Sequence, residues 1–118
     1  MLLAQAQTLG DVLRGQAAAR PDKTAFEMLD GRRVAFAGFN RRVNRLCHAL
    51  AACGVAPGAR VALLSRNCIE YVEVYGAAKA GMVVVPLNWR LPAAELVPLL
   101  AHSAPEVLVV DEAHVALV

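Results

Sequence analysis

From Arg60 onward, three short apolar runs alternate with two stretches of helical character: RVALL, MVVVP and EVLVV. Each run is too short for a helix; RVALL and MVVVP, continuously apolar, read as buried strands and EVLVV as a last strand. Strands separated by helices pair side by side in parallel, because the chain returns to the same end of the sheet before each strand begins. The order strand, helix, strand, helix, strand predicts two successive βαβ units with right-handed crossovers. The fold class is therefore α/β, built on a parallel sheet.

What precedes that alternation is a different kind of structure. TLGDVLRGQAAARP opens a helix that Thr8 can cap, with Asp11 well placed in its first turn. TAFEML and RRVAF are strand-like runs on either side of Asp30-Gly31, which predicts a β-hairpin with a two-residue turn. FNRRVNRLCHALAACG is amphipathic, with Phe39, Val43, Leu46 and Leu50 at helical spacing and Gly54 placed for a left-handed cap. Asn67 and Glu70 resemble a capping box for CIEYVEVYGAAKA, which should run as a helix to Gly81. AAELVPLLAHS supplies the helix before the last strand.

A chain of 118 residues is one structural unit, and 58% hydrophobic residues is high for a domain of that size. Either an α/β core packs tightly, or the chain belongs to something larger that covers apolar surface. Lys79 and Arg90 bracket the longest apolar stretch, which is too short to span a membrane. The N-terminus has no basic segment before its brief apolar start, so no secretory signal is read there and a cytoplasmic location is expected. A net charge of +2 does not call for nucleic acid. Arg32, Arg33, Arg41, Arg42 and Arg45 cluster, but only Phe36 and Phe39 are near enough to stack on bases, and both point inward by periodicity. The cluster reads as a solvated face.

Groups fit for chemistry are few. Cys47, Cys53 and Cys68 lack CxxC spacing and read as small hydrophobes in a reducing compartment. A metal site from Cys47, His48 and Cys53 would need adjacent and six-apart helical positions to converge, which they do poorly, so no metal is expected. Ser65 and Ser103 have no nucleophile-elbow context, and His48, His102 and His114 show no partner spacing. GVAPGAR precedes a strand instead of a helix, so it reads as a turn and not a phosphate cradle. Asp111, directly after an apolar strand, stands where α/β proteins place functional groups, but a turn-initiating role is the simpler reading.

Taken in order, ARPDKTAF, the Asp-Gly hairpin, the run from FNRRVNRL through GVAPGARVALLSRN and AAKAGMVVVPLNWRLPAAEL, and finally VLVVD resemble the N-terminal part of the adenylate-forming enzymes. The resemblance is to acyl-CoA synthetases that act on fatty or aromatic acids, and it extends from about Thr8 to Asp111. It implies that residues 1–118 are a partial N-terminal domain, truncated relative to the family and forming the first portion of the large domain. It also implies that a full-length enzyme uses ATP and Mg2+ to form an acyl-adenylate and then passes the acyl group to the thiol of coenzyme A.

The family's Ser/Thr/Gly-rich phosphate loop, its acidic nucleotide motifs and its C-terminal-domain lysine have no counterpart here, so the resemblance assigns no catalytic residue and no cofactor to this chain alone. One binding role stays open. In some acyl-CoA ligases the arginine of the Asn-x-Arg-Leu link lies near the coenzyme A nucleotide, and Arg90 is that arginine. The alternative is that Arg90 pairs with a carboxylate or covers Trp89.

In the same region Pro92 replaces the usual helix-capping hydroxyl, a loss of about 1 kcal/mol. Pro98 falls inside the helix, at about 3 kcal/mol unless the helix breaks or is shorter. A non-catalytic truncated relative acting by association is the competing reading of function. A free-standing small-molecule module is a third, weakened by the missing phosphate loop. An open last strand and uncovered apolar surface make self-association an expectation.

Overall fold

The computed structural model describes residues 6–118. The start of the N-terminal run weighed above as a secretory signal therefore lies outside the described residues. Helix α1 (Leu9–Ala19) begins as expected. The Thr8 hydroxyl accepts the Asp11 N–H at 3.1 Å, and Asp11 Oδ2 accepts the Thr8 N–H at 3.1 Å, so the two residues close a reciprocal cap.

Strands β1 (Thr24–Glu27) and β2 (Arg33–Ala35) form the antiparallel hairpin. Its turn differs from the two-residue form expected. The Met28 N–H bonds the Arg32 carbonyl at 2.7 Å, leaving Leu29, Asp30 and Gly31 as a three-residue loop. A two-residue Asp-Gly turn needs positive φ at both residues, whereas here only Gly31 has it, at +88°. Asp30 instead accepts the Arg32 N–H at 2.9 Å, a local bond that satisfies its side chain without left-handed backbone.

Helix α2 (Phe36–Ala52) buries Phe39, Val43, Cys47 and Leu50. Gly54, at φ +85°, ends it, with the Val55 N–H returning to the Leu50 carbonyl at 3.0 Å.

Strand β3 (Arg60–Leu64), helix α3 (Ile69–Tyr75), strand β4 (Val83–Pro86), helix α4 (Ala93–Ser103) and strand β5 (Val107–Val110) complete the alternation. The three strands pair in parallel in the order β4-β3-β5, with Val61 opposite both Val84 and Val107. Only β3 has a neighbour on each side, and Val61, Ala62, Leu63 and Leu64 are all buried. The expectation that MVVVP is a buried strand is corrected: β4 is an edge, with Val83 49% exposed. The sequence could not separate edge from centre, because all three runs are equally apolar.

Side chains of β3 alternate between two cores. Val61 and Leu63 pack with Leu50, Val74 and Met82 on the side of α2 and α3. Ala62 and Leu64 pack with Leu87 and Leu96 on the side of α4. Travel along the sheet reverses between the two crossovers, so crossovers of one hand place their helices on opposite faces. That is the arrangement here.

Two helix expectations are corrected and one is met. The cap of α3 is Cys68, whose sulfur accepts the Tyr71 N–H at 3.3 Å, and not Asn67 paired with Glu70. Just before this cap, the Arg66 N–H is held by Asp111 at 3.0 Å. The stretch up to Gly81 is also not one helix, because Gly76–Ala80 tightens into a 3-10 turn. Helix α4 has Pro92 at its N-cap with no side-chain bond, as expected. It is neither broken nor shortened by Pro98.

Candidate functional site

The link between β4 and α4 is held at both ends. The Leu87 N–H continues the sheet ladder to the Leu63 carbonyl at 2.8 Å. Asn88 Oδ1 then accepts the Arg90 N–H at 3.0 Å, and the Asn88 carbonyl accepts the Leu91 N–H at 3.1 Å. Together these bonds make a tight turn from Asn88 to Leu91 that projects two successive side chains. Trp89 lies half-buried against the Ala62, Leu64 and Leu87 core. Arg90 is exposed, with its guanidinium carbon 4.4 Å from the centroid of the Trp89 ring, in a cation–π contact. It pairs with no carboxylate among the described residues. Covering Trp89, one of the alternatives weighed from the sequence, is thus what Arg90 does in this structure. That contact leaves its donors free for an anion.

Asp111 ends β5 and caps a short 3-10 helix, Glu112–Leu117. Its Oδ1 accepts the backbone N–H of His114 at 3.0 Å and also bonds the imidazole Nδ1. Its Oδ2 accepts the Arg66 N–H at 3.0 Å, so one carboxylate joins the exits of β3 and β5. Burial opposes ionisation of Asp111, but the bonds from Arg66 and His114 outweigh it and hold the carboxyl down at about 2. The turn-initiating reading of Asp111 therefore holds, with an added tie across the sheet.

His114 is buried, and its ring stands 5.8 Å from Trp89 at an interplanar angle of 62°. Sequence reasoning gave this histidine no partner. Its spacing to Asp111 is an ordinary capping interval and could have signalled that bond. The contact with Trp89 joins distant segments and had no signal.

The carboxyl ends of β3 and β5 also border an open cleft of about 750 Å³, with Leu63, Val74 and Val109 as its floor. Two pairs of charges on its rim compensate each other: Arg32 pairs with Glu70 at 3.2 Å, and Arg66 with Asp111 at 3.7 Å. Ser65 is buried there and donates to the Arg66 carbonyl at 2.8 Å. Within the arginine cluster, Arg33 pairs with Glu27, and Arg42 with Glu70 and Glu73, while Arg41 and Arg45 are exposed. Cys47 faces the core while Cys53 and His48 are exposed, so the three residues weighed as metal ligands point apart. His102 is exposed on α4, and Ser103 donates back to the Leu99 carbonyl at 2.8 Å.

The fold and the order of motifs agree with comparison to known proteins. The family model for AMP-binding enzymes matches residues 13–118. A fatty acid–[acyl-carrier-protein] ligase from Streptomyces coeruleorubidus is 38% identical over 109 residues, covering 92% of this chain and 21% of that relative. A long-chain-fatty-acid–CoA ligase from Mycobacterium tuberculosis is 39% identical over 105 residues, covering 87% of this chain and 21% of its own length. Among solved structures, the inhibitor-bound N-terminal domain of FACL13 from Mycobacterium tuberculosis superposes with a TM-score of 0.89 at 36% identity. That match covers 95% of this chain and 29% of that one. The chain thus spans about one-fifth of the length of these curated relatives, and over that span it belongs to the AMP-binding enzyme family.

Proposed function

We propose that this chain is the opening segment of an ATP-dependent acyl-CoA ligase. The observation that carries the reading is the family match over residues 13–118, joined to 39% identity with a long-chain-fatty-acid–CoA ligase. In the complete enzyme a fatty or aromatic carboxylate attacks the α-phosphorus of ATP, with Mg2+ on the phosphates, and pyrophosphate leaves. The thiol of coenzyme A then attacks the acyl carbonyl of the adenylate, and AMP leaves. A cytoplasmic location suits the use of ATP and coenzyme A.

The 118 residues by themselves do not perform the first step. Adenylation depends on positioning and on charge stabilisation at the phosphates, and this sequence has neither a Gly-rich phosphate loop nor a lysine beside one. Acid-dependent exchange of pyrophosphate into ATP by the purified chain would refute this. It would equally count against the competing reading, a non-catalytic relative that acts by association.

Arg90 is the residue here that reaches toward substrate, as a donor to a phosphate of coenzyme A. Its turn is fixed at both ends and its guanidinium rests on an indole, so little ordering is left to bind an anion. A charge-assisted contact of this kind contributes roughly 1.5–3 kcal/mol. Arg90→Ala in the complete ligase should raise KM for coenzyme A roughly ten- to a hundredfold while leaving the adenylation half-reaction intact. Arg90→Lys should recover only part, since an ammonium has no forked donors. A parallel fall in both half-reactions would make Arg90 structural.

A further inference from the structure

The Asp111–His114 pair reaches the Trp89–Arg90 link from a distant part of the chain, and the family assignment gives it no role. His114 is 8% exposed, so its ring nitrogen needs a partner inside the protein, and Asp111 Oδ1 provides it. Asp111 is itself fixed from three sides, by the His114 ring, the His114 N–H and the Arg66 N–H. An ionised carboxylate only accepts, so the shared proton sits on Nδ1 and the plane of the imidazole is set.

The ring fixed in this way meets Trp89 at 5.8 Å and 62°, a T-shaped contact in which the edge of one ring faces the π cloud of the other. The indole cannot tilt without losing that contact and its packing on Leu64 and Leu87. Arg90 rests on the same indole at 4.4 Å, and its backbone is pinned by Asn88. The imidazole therefore aims the indole, and the indole aims the guanidinium.

We propose that His114, held by Asp111, is a positioning residue that sets the orientation of Trp89 and, through it, of Arg90. The consequence for coenzyme A rests on the reading of Arg90 given above, whereas the orientation of Trp89 does not.

Trp89 is the chain's one tryptophan, so its fluorescence reports on the surroundings of this indole. His114→Asn keeps an amide donor for Asp111 but removes the ring. His114→Phe keeps a ring edge but loses the bond. Loss of the ring should shift the indole from docked to undocked by roughly three- to tenfold, read as red-shifted emission and stronger acrylamide quenching. His114→Phe should restore only part of the docking, because its ring edge remains but Asp111 no longer sets the ring plane.

Emission and quenching equal to wild type in His114→Asn, with the far-ultraviolet dichroism unchanged, would overturn the proposal. If that variant fails to fold, the wild-type chain decides. Nuclear Overhauser contacts between the His114 ring protons and the indole are expected, and their absence overturns the proposal as firmly. In the complete ligase, His114→Asn should raise KM for coenzyme A without slowing adenylation, and His114→Phe should bring it partly back. A Trp89 response without a change in that KM upholds the positioning of Trp89; it overturns the relay to Arg90 where Arg90→Ala raises that KM, and refutes the phosphate contact of Arg90 where Arg90→Ala does not. No Trp89 response refutes the positioning whatever the KM does.

Discussion

At the scale of single residues, Gly76 is the glycine whose surroundings leave least room for a side chain. A Cβ built there would lie 2.5 Å from Val43 Cγ2 and 2.6 Å from Val43 Cγ1, and Val43 is fully buried. The valine has one strongly preferred rotamer in a helix and nowhere to move. Gly76→Ala should therefore destabilise the chain by about 1–3 kcal/mol, measured as a lower urea midpoint with an unchanged slope. An unchanged midpoint would mean that the 3-10 turn gives way freely. The thiols offer a second residue-scale test. Burial pushes the Cys47 thiol up, and its sulfur faces the Gly76 carbonyl, whereas Cys53 is exposed. Ellman's reagent should label Cys53 at once and Cys47 only as the protein unfolds, with peptide mapping to tell them apart. Equal rates would show that the inner face of α2 opens readily.

Among the elements, α4 is the one with three local faults. Pro92 gives no cap bond, Pro98 removes an interior N–H, and Ala104 ends the helix at φ +44° where glycine is the usual occupant. Leu96 alone is fully buried in this helix, so packing holds it where propensity does not. Pro92→Asp should add about 1 kcal/mol by capping, and Ala104→Gly a similar amount by relieving the left-handed strain. Calorimetry on both single variants and the pair should show rises in Tm that add, because the two sites lie at opposite ends of the helix. No rise in either would mean that α4 is already held rigidly by its neighbours.

For the whole molecule, acid is a revealing perturbant. Arg14, at 2.7 Å, and the Thr8 cap hold Asp11 at about 2, and Asp111 is held at about 2 at the other end of the chain. Both carboxyls lie below the ordinary 3.8, so the native state binds fewer protons than the unfolded one. Their contribution is fully present above that ordinary value and is lost as pH falls toward about 2. Denaturation midpoints should drop through this window, and Asp111→Asn should flatten the drop. A wild-type midpoint constant through the window would contradict both assignments. The open edges make a second prediction at this scale. Among the described residues β4 and β5 each have one unpaired side, and Val83, Val97 and Val115 are exposed. The chain should self-associate, with slowed amide exchange along β4 or β5 at high concentration. A monomeric sedimentation profile there would count against it.

Much of this was legible in the chain because it depends on neighbours a few residues away. The periodicity of α2, the Thr8 cap, the glycine at Gly54 and the alternation after Arg60 are local signals, and each produced the element it indicates. Ordered motifs further gave the family. What the sequence left open depends on contacts between distant segments. Three equally apolar runs do not say which one is central; the pairing of β3 with both β4 and β5 decided that, and it turned MVVVP into an edge. The bond from the Arg66 N–H to Asp111, 45 residues away, ties the exits of β3 and β5 and has no local signal. Pro98 stays inside a helix because α4 packs on Leu64 and Leu87 through Leu96. The approach of His114 to Trp89 has the same origin: a side-chain pair across the carboxyl ends of a sheet exists only once the strands have found their order.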